Sequence, residues 1–376
     1  MQRTRLNFNH KSSILTARLV LQDSRVFGET GIRQPVSATT GSIGLYEGWA
    51  ELPLFSGTSF KIGRQGIQFE DGRLFSLAPW SNTGNSHDLA QIRYSATGLE
   101  VQSGFAKSNQ KALNVDSSYY NVSLIYKQLA FLHITKTIAN GLDLSLLGVD
   151  EGFITSKGNL DLYHRFTTGG TILFKKDKQP LSLFFTGYIQ FGKSAPAVSL
   201  NAFLLALKAS FAFSEKIGGF AGIDYYSGSE STLPATKTNT FKKLPYGVNH
   251  AFNGYMEYWA VLPKGGLANY FGGVNLKINK KLCSDITYYG FRLANDMKTG
   301  TTPVQKNIGS EIDITLNYRF SPETAIQFAW CTYIITEGTE MLKFKSTAVN
   351  TRFPQYAYLM LSINPRFYKS PVETYH

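Results

Sequence analysis

The sequence predicts an all-β chain folded as one antiparallel up-and-down β-barrel that crosses a membrane. Three observations lead there. Charged residues make up only 17% of the 376 positions while Phe (27), Tyr (21) and Gly (34) are plentiful, a balance that suits short-turned antiparallel sheet better than helix. Apolar and polar residues alternate with period two, and no window approaches the roughly eighteen unbroken apolar residues of a membrane-spanning helix. A barrel strand needs only about ten such alternating residues. The connections also sort by length, putting tight turns on one rim and long loops on the other. A soluble sandwich has no reason to segregate its loops.

The stretch Leu45 to Asp88 sets the pattern. Leu45–Leu52 runs into a Pro-Leu-Phe-Ser-Gly turn, Thr58–Gln65 climbs back, and a polar, glycine-dotted excursion ends at His87-Asp88. Seventeen upright segments repeat this plan. The first are Gln2–Asn9, Ile14–Gln22, Ile43–Leu52, Thr58–Gly66, His87–Ser95 and Leu99–Lys107. Tyr119–Thr137, Leu142–Val149, Leu160–Lys175, Leu181–Phe191, Ser199–Phe213 and Ile217–Tyr226 follow. The last are Tyr270–Asn279, Cys283–Arg292, Glu311–Phe320, Ala325–Ile335 and Gln355–Phe367. Long connections follow Gln22, Gly66, Lys107, Val149, Tyr226, Arg292 and Ile335; the one after Phe191 is moderate.

Parity extends the expectation. The last segment descends to the short-turn, periplasmic rim, so the first descends too and Gln2 begins at the extracellular rim. Bacterial single-chain barrels have an even strand number. About seventeen strands here therefore imply eighteen in the intact protein, with an ascending strand and a signal peptide upstream of Met1. Residues 1–376 form one barrel domain, within which 227–269 is a long loop, extracellular or pore-constricting.

Alternation assigns the faces, because a charged side chain in mid-bilayer costs about 2–4 kcal/mol for Arg or Lys. Glu311, Asp313, Thr315, Asn317 and Arg319 point to water, with Ile312, Ile314, Leu316, Tyr318 and Phe320 to lipid. By the same rule Arg3, Arg5, Arg18, Glu47, Glu51, Arg93, Lys208 and Lys277 face the lumen. Arg64 falls on the lipid side of a strict alternation and needs a bulge or a place near the rim. A barrel of this size leaves a water channel unless something plugs it. The 227–269 loop carries Lys237, Lys242 and Lys243, then His250, Phe252, Tyr255, Tyr258 and Trp259, and folded inward it would narrow the pore and offer stacking faces to sugar rings.

The net charge of +12 does not read as nucleic-acid binding, since the basic residues are scattered rather than gathered into a patch. Cys283 and Cys331 stand in separate strands without metal-ligand spacing. No Gly-x-Ser-x-Gly elbow, triad rhythm among the six histidines, phosphate-cradling loop or zinc spacing is present. His87-Asp88 suits a strand start fixed by hydrogen bonds, and Asp71-Gly72-Arg73 a turn with an ion pair. The reading is of a non-enzyme without cofactor or metal.

Several stretches resemble one family. Gly63-Arg64-Gln65, Asp71-Gly72-Arg73 and His87-Asp88, together with Gln22–Glu29, Tyr246–Gly254 and Gly309–Asp313, are similar to the alginate-export family of outer-membrane porins, the Tyr246–Gly254 stretch most of all to its Bacteroidota members. The resemblance spans nearly the whole chain. It implies an eighteen-stranded outer-membrane barrel through which an anionic polysaccharide leaves the cell. It places Arg25, Arg64, Asp71, Arg73 and Asp88 in the lumen or its extracellular vestibule. The partners expected are outer-membrane lipid, an anionic polysaccharide or small anionic solute, and periplasmic or envelope proteins, with no nucleic acid. The expected function is a passive, anion-favouring channel with a basic lumen. The alternative is a structural or adhesion barrel whose pore the long loop closes.

Overall fold

The computed structural model describes residues 1–26, 43–108, 126–155, 161–248, 250–344 and 353–369. The chain is nearly all strand. The order is β1 (Gln2–Lys11), β2 (Thr16–Arg25), β3 (Gly44–Phe55), β4 (Thr58–Gln65), β5 (His87–Ala96), β6 (Leu99–Lys107) and β7 (Gln128–Ala139). Then come β8 (Leu142–Ile154), β9 (Leu162–Lys175), β10 (Leu181–Ala195), β11 (Val198–Ala212), β12 (Ile217–Tyr226) and the two-residue β13 (Lys237–Thr238). β14 (Leu267–Lys277), β15 (Leu282–Leu293), the short pair β16 (Lys298–Thr299) and β17 (Thr302–Pro303), β18 (Asn307–Arg319), β19 (Thr324–Ile334) and β20 (Gln355–Ile363) complete it. After β19 a capped turn, α1 (Glu337–Thr339), runs into a π-helical stretch to Phe344.

Each long strand pairs antiparallel with the next in chain order, and β13 adds to β11 in parallel, making one eighteen-stranded sheet. Among the described residues no ladder joins β1 to β20. The short connections are turns such as Thr97-Gly98 and Asn140-Gly141, whose glycines take φ of 65° and 78°, the left-handed geometry a tight hairpin requires. Outward positions carry large apolar side chains in the open, among them Phe8, Ile62, Ile92, Phe105, Leu146, Ile189 and Leu205. A continuous apolar belt of this kind faces lipid. The buried residues lie on the other face, packed against loops folded into the lumen.

The seventeen predicted segments are all present, with shifted ends. The moderate loop expected after Phe191 does not exist: β10 runs on to Ala195, which already pairs with Val198. β8 continues past Val149 to Ile154, and β14 starts at Leu267, so the long loop spans 227–266. The start of the segment expected from Tyr119, and Phe27-Gly28-Glu29 and Asn249 of the family motifs, lie outside the described residues.

Candidate functional site

The lumen is filled from one side. Residues 66–86 leave β4 and turn inward. Phe69 packs edge-on to Phe75 and Phe131 at 5.4 Å and stacks on the His133 ring at 4.1 Å. Glu70 accepts from Ser145 Oγ at 2.6 Å and lies 2.5 Å from His133 Nε2, pinning the loop to β7 and β8. Asp71, Gly72 (φ 80°) and Arg73 make a turn in which the Arg73 amide donates to Asp71. The Arg73 guanidinium reaches across the lumen to Asp224 Oδ1 (3.0 Å) and Tyr226 Oη (2.8 Å) on β12. Burial alone would lower the Arg73 pKa, but Asp224, Tyr226 and Asp71 outweigh it and hold the group well above its ordinary value. The loop then crosses to the opposite wall. There Arg3 donates to the Pro79 and Ser81 carbonyls, Arg5 to Thr83, and Tyr46 to Asn85.

The second inward element is 227–266. Gln190 of β10 grips both the amide and the carbonyl of Lys242 (2.8 and 2.9 Å). Ser76 N to Tyr246 O and Val248 N to Gly72 O, both 3.0 Å, tie the two loops together. The loop tip is held by two carboxylates of β18: Asp313 accepts from the Tyr255 amide at 3.0 Å and Glu311 from the Met256 amide at 2.7 Å. Trp259, Tyr258 and Phe252 go the same way. Trp259 donates to Tyr333 Oη at 2.9 Å, Tyr258 stacks on the Tyr333 ring at 3.8 Å, and the Phe252 ring lies 4.0 Å under Arg73. His250 is sandwiched between Trp80 (4.4 Å) and Tyr255 (4.0 Å), joining the tips of both loops. These contacts set the described part of 227–266 against inner-face side chains of β10, β18 and β19.

The plug rests on Arg3, Arg5 and Tyr46 near the long-loop rim and leaves water to part of the same wall nearer the short turns. Inner positions of β8 to β12 and of β18 are buried, with Glu151, Thr186 and Gln190 at zero exposure. On β2 to β5 the inner face is mixed: Val20, Glu47, Gln65, His87, Leu89 and Gln91 are buried, while Arg18 is 38% and Arg93 40% exposed. This wall carries cations on fixed supports. Arg18 pairs with Glu47 (2.7 Å) and Arg93 with Glu51 (3.3 Å), while Ser59 donates to Glu51. Arg5 lies 3.6 Å over the Tyr46 ring and Lys61 3.7 Å over Trp49. Arg3, Arg5 and Lys61 have no carboxylate within ion-pair distance among the described residues, so five cations face two carboxylates.

The remaining candidates are spread around the wall. Lys208 lies over Phe220 at 4.5 Å, Lys277 sits exposed at the end of β14, and Glu311 and Asp313 are buried under the loop tip rather than open to water. Three placements implied by the family resemblance are corrected. Gln22 and Ser24 reach inward to Arg5 and the Asn82 carbonyl, so Asp23 and Arg25, paired at 2.7 Å, stand on the outer face. Arg64 and Asp88 pair at 3.3 Å outside, at the long-loop rim, because Gln65 and His87 on either side of that ladder point in. His87, 2.6 Å from Tyr126 Oη, is thereby separated from Asp88 by the sheet. Sequence reasoning missed the buried Glu151–Arg165 pair (2.8 and 3.0 Å) and the Glu70–His133 contact. Extending the β8 alternation past Val149 would have found the first; nothing local signals the second.

No protein-family model and no curated protein matches the chain. Solved structures do. OccK10 (OpdN) of Pseudomonas aeruginosa superposes with a TM-score of 0.62 at 12% identity, over 97% of this chain and 92% of that one. OprD of the same organism gives 0.58 at 11% identity over 96% and 86%, and OpdK with vanillate 0.59 at 12% over 96% and 91%. The chain has the fold of an outer-membrane porin. At this identity the likeness carries the architecture and leaves the lumen chemistry to the residues themselves.

Proposed function

We propose that the chain is an outer-membrane channel for passive diffusion of small anionic solutes, oligosaccharide acids among them, and not an enzyme. The observation that carries this is the one-sided plug, packed mainly against β7–β19, beside part-exposed cations of β1–β5 that rings and carboxylates brace. Fixed positive charge at a narrow passage raises the local concentration of anions, and Glu47 and Glu51 keep the attraction short of arrest. The alginate-export resemblance narrows the solute to a polyuronate. The two loops seated in the lumen favour a second reading, a structural barrel with a closed pore.

Planar-bilayer recording separates the two. Open steps that reverse toward the anion potential and are blocked by oligouronate support the channel; flat traces from folded protein support the closed barrel. Arg18→Glu with Arg93→Glu is expected to move the reversal potential toward cations and abolish the block, an effect that weakens above about 1 M salt where screening is short-ranged. Unchanged selectivity would remove the basic wall from the path. Arg3 is a poor choice for this test, because its guanidinium also holds the plug.

A further inference from the structure

We propose that a calcium ion ties the tip of the 227–266 loop to β18, held by Glu311, Asp313 and Asn253. The two carboxylates stand at alternate positions on the inner face of β18, at 0% and 3% exposure. That spacing sets their Cβ atoms about 6–7 Å apart, and the carboxyl groups come within hydrogen-bond reach of each other. Asp224 and Glu151, as deeply buried, have Arg73 at 3.0 Å and Arg165 at 2.8 Å. Among the described residues no such ion pair reaches Glu311 or Asp313. Each spends one oxygen on the loop tip, Asp313 Oδ2 on the Tyr255 amide and Glu311 Oε1 on the Met256 amide. Asp313 Oδ1 and Glu311 Oε2 are left without a partner. Two like charges side by side in a dry site need a compensating positive charge.

That charge is a proton or a metal ion. One shared proton would serve Glu311 Oε2 and Asp313 Oδ1 and nothing else, and the tip holds further acceptors. Asn253, fully buried, donates to the Trp259 carbonyl at 2.9 Å and keeps Oδ1 unpartnered. Its neighbour Gly254 lies against the Glu311 carboxylate, where a Cβ would come within 2.4 Å of the carboxyl carbon. Asn269 of β14 repeats the arrangement, donating to the Phe252 carbonyl at 2.6 Å with Oδ1 unpartnered. Buried acceptors beyond what one proton can satisfy, all of them oxygen and two of them anionic, suit a hard divalent cation. Calcium fits better than magnesium, because it takes about six to eight oxygens at roughly 2.3–2.6 Å in adaptable geometry, whereas magnesium demands a near-ideal octahedron.

Calcium itself is the probe, added to the full chain folded in detergent. One ion per chain is expected to survive gel filtration. Terbium in its place should luminesce on excitation of the neighbouring tyrosines and Trp259, and calcium should displace it well before magnesium does. Asp313→Asn keeps the shape and an acceptor for the Tyr255 amide, and should weaken calcium binding about tenfold or more, because affinity follows the count of charged ligands. Asn253→Ala leaves both carboxylates in place and should weaken binding too. Chelation should speed hydrogen exchange of the Tyr255 and Met256 amides in the wild-type chain and not in Asp313→Asn, with heat-modifiable gel mobility reporting the folded barrel. None of these readouts depends on whether the pore conducts. Equal calcium retention in wild type and Asp313→Asn, or amide exchange indifferent to the chelator, would overturn the proposal and leave the pair to a shared proton.

Discussion

Arg73 and Lys243 come from different inward loops and feel the same carboxylate, Asp224, yet the two cations differ in fate. Arg73 has Asp224 at 3.0 Å and keeps its charge. Lys243 arrives with that carboxylate already committed. Its amine is enclosed, donates to the Trp259 carbonyl at 3.1 Å and lies 5.4 Å from the Tyr226 ring. Burial, then the Arg73 charge, push it down to about 7; Asp224 and Glu257 pull up and Lys343 pushes down further. The sign follows from the proton count. Between about pH 7 and the ordinary lysine value near 10.4 a released loop binds a proton that the seated loop does not, so seating strengthens as pH rises through that window. As pH falls through 7 the seated amine must charge in a dry site, and the advantage is lost. Protease cleavage within 239–259 is therefore expected to be faster at about pH 5.5 than at about pH 8.5. Lys243→Met should flatten that difference; an unaltered pH profile would show that another group sets it.

The long loop is held at its tip by two amides on two carboxylates, and the position just before them admits no side chain. Gly254 has φ 79°, and a Cβ there would lie 2.4 Å from the Glu311 carboxyl carbon. Gly254→Ala therefore combines backbone strain with a clash, on the order of 1–3 kcal/mol against seating, or roughly five- to 150-fold in the population of the released tip. Higher or noisier single-channel conductance, with faster exchange of the Tyr255 and Met256 amides, is the expected result; conductance and exchange equal to wild type would mean that the tip does not gate the passage. Elements of this kind mark the boundary of what a sequence discloses. Strands were readable because period-two alternation is local: Glu311-Ile312-Asp313-Ile314 declares its faces without reference to anything distant. The β10–β11 hairpin was obscured because Gly192-Lys193-Ser194-Ala195 lacks apolar alternation although it still pairs. The plug was half legible, its aromatic cluster visible and its direction not, since Tyr255 N to Asp313 spans 58 residues. The 66–86 segment, more deeply involved than its polar composition suggests, hides its anchor in the Arg73–Asp224 contact 151 residues apart. Arg25, Arg64 and Asp88 were misplaced by a motif match that the alternation of their own strands opposes.

At the scale of the molecule, a wide barrel must decide where its water goes. Strands enough for a channel enclose more space than side chains can fill, and here two loops and the stretch following β19 occupy the space against β7–β19, where Met341, Trp259, Phe75 and Phe241 are buried. Arg18 and Arg93, 38% and 40% exposed near the short turns of β2 and β5, mark the side that these segments leave to water. That asymmetry can be read directly by cysteine accessibility in a Cys283→Ser background, which leaves only the buried Cys331. Asn7, whose side chain accepts from Arg18 on the open wall, is exposed. Thr186 on the inner face of β10 is fully covered. A negatively charged methanethiosulfonate added to either bath should modify Asn7→Cys and cut the current, because the label places a fixed anion beside Arg18. Thr186→Cys should stay unreactive until the plug is loosened, for example by Gly254→Ala. Reaction at both positions in the intact protein would mean that the lumen is open across its full width, and the one-sided path would have to be abandoned.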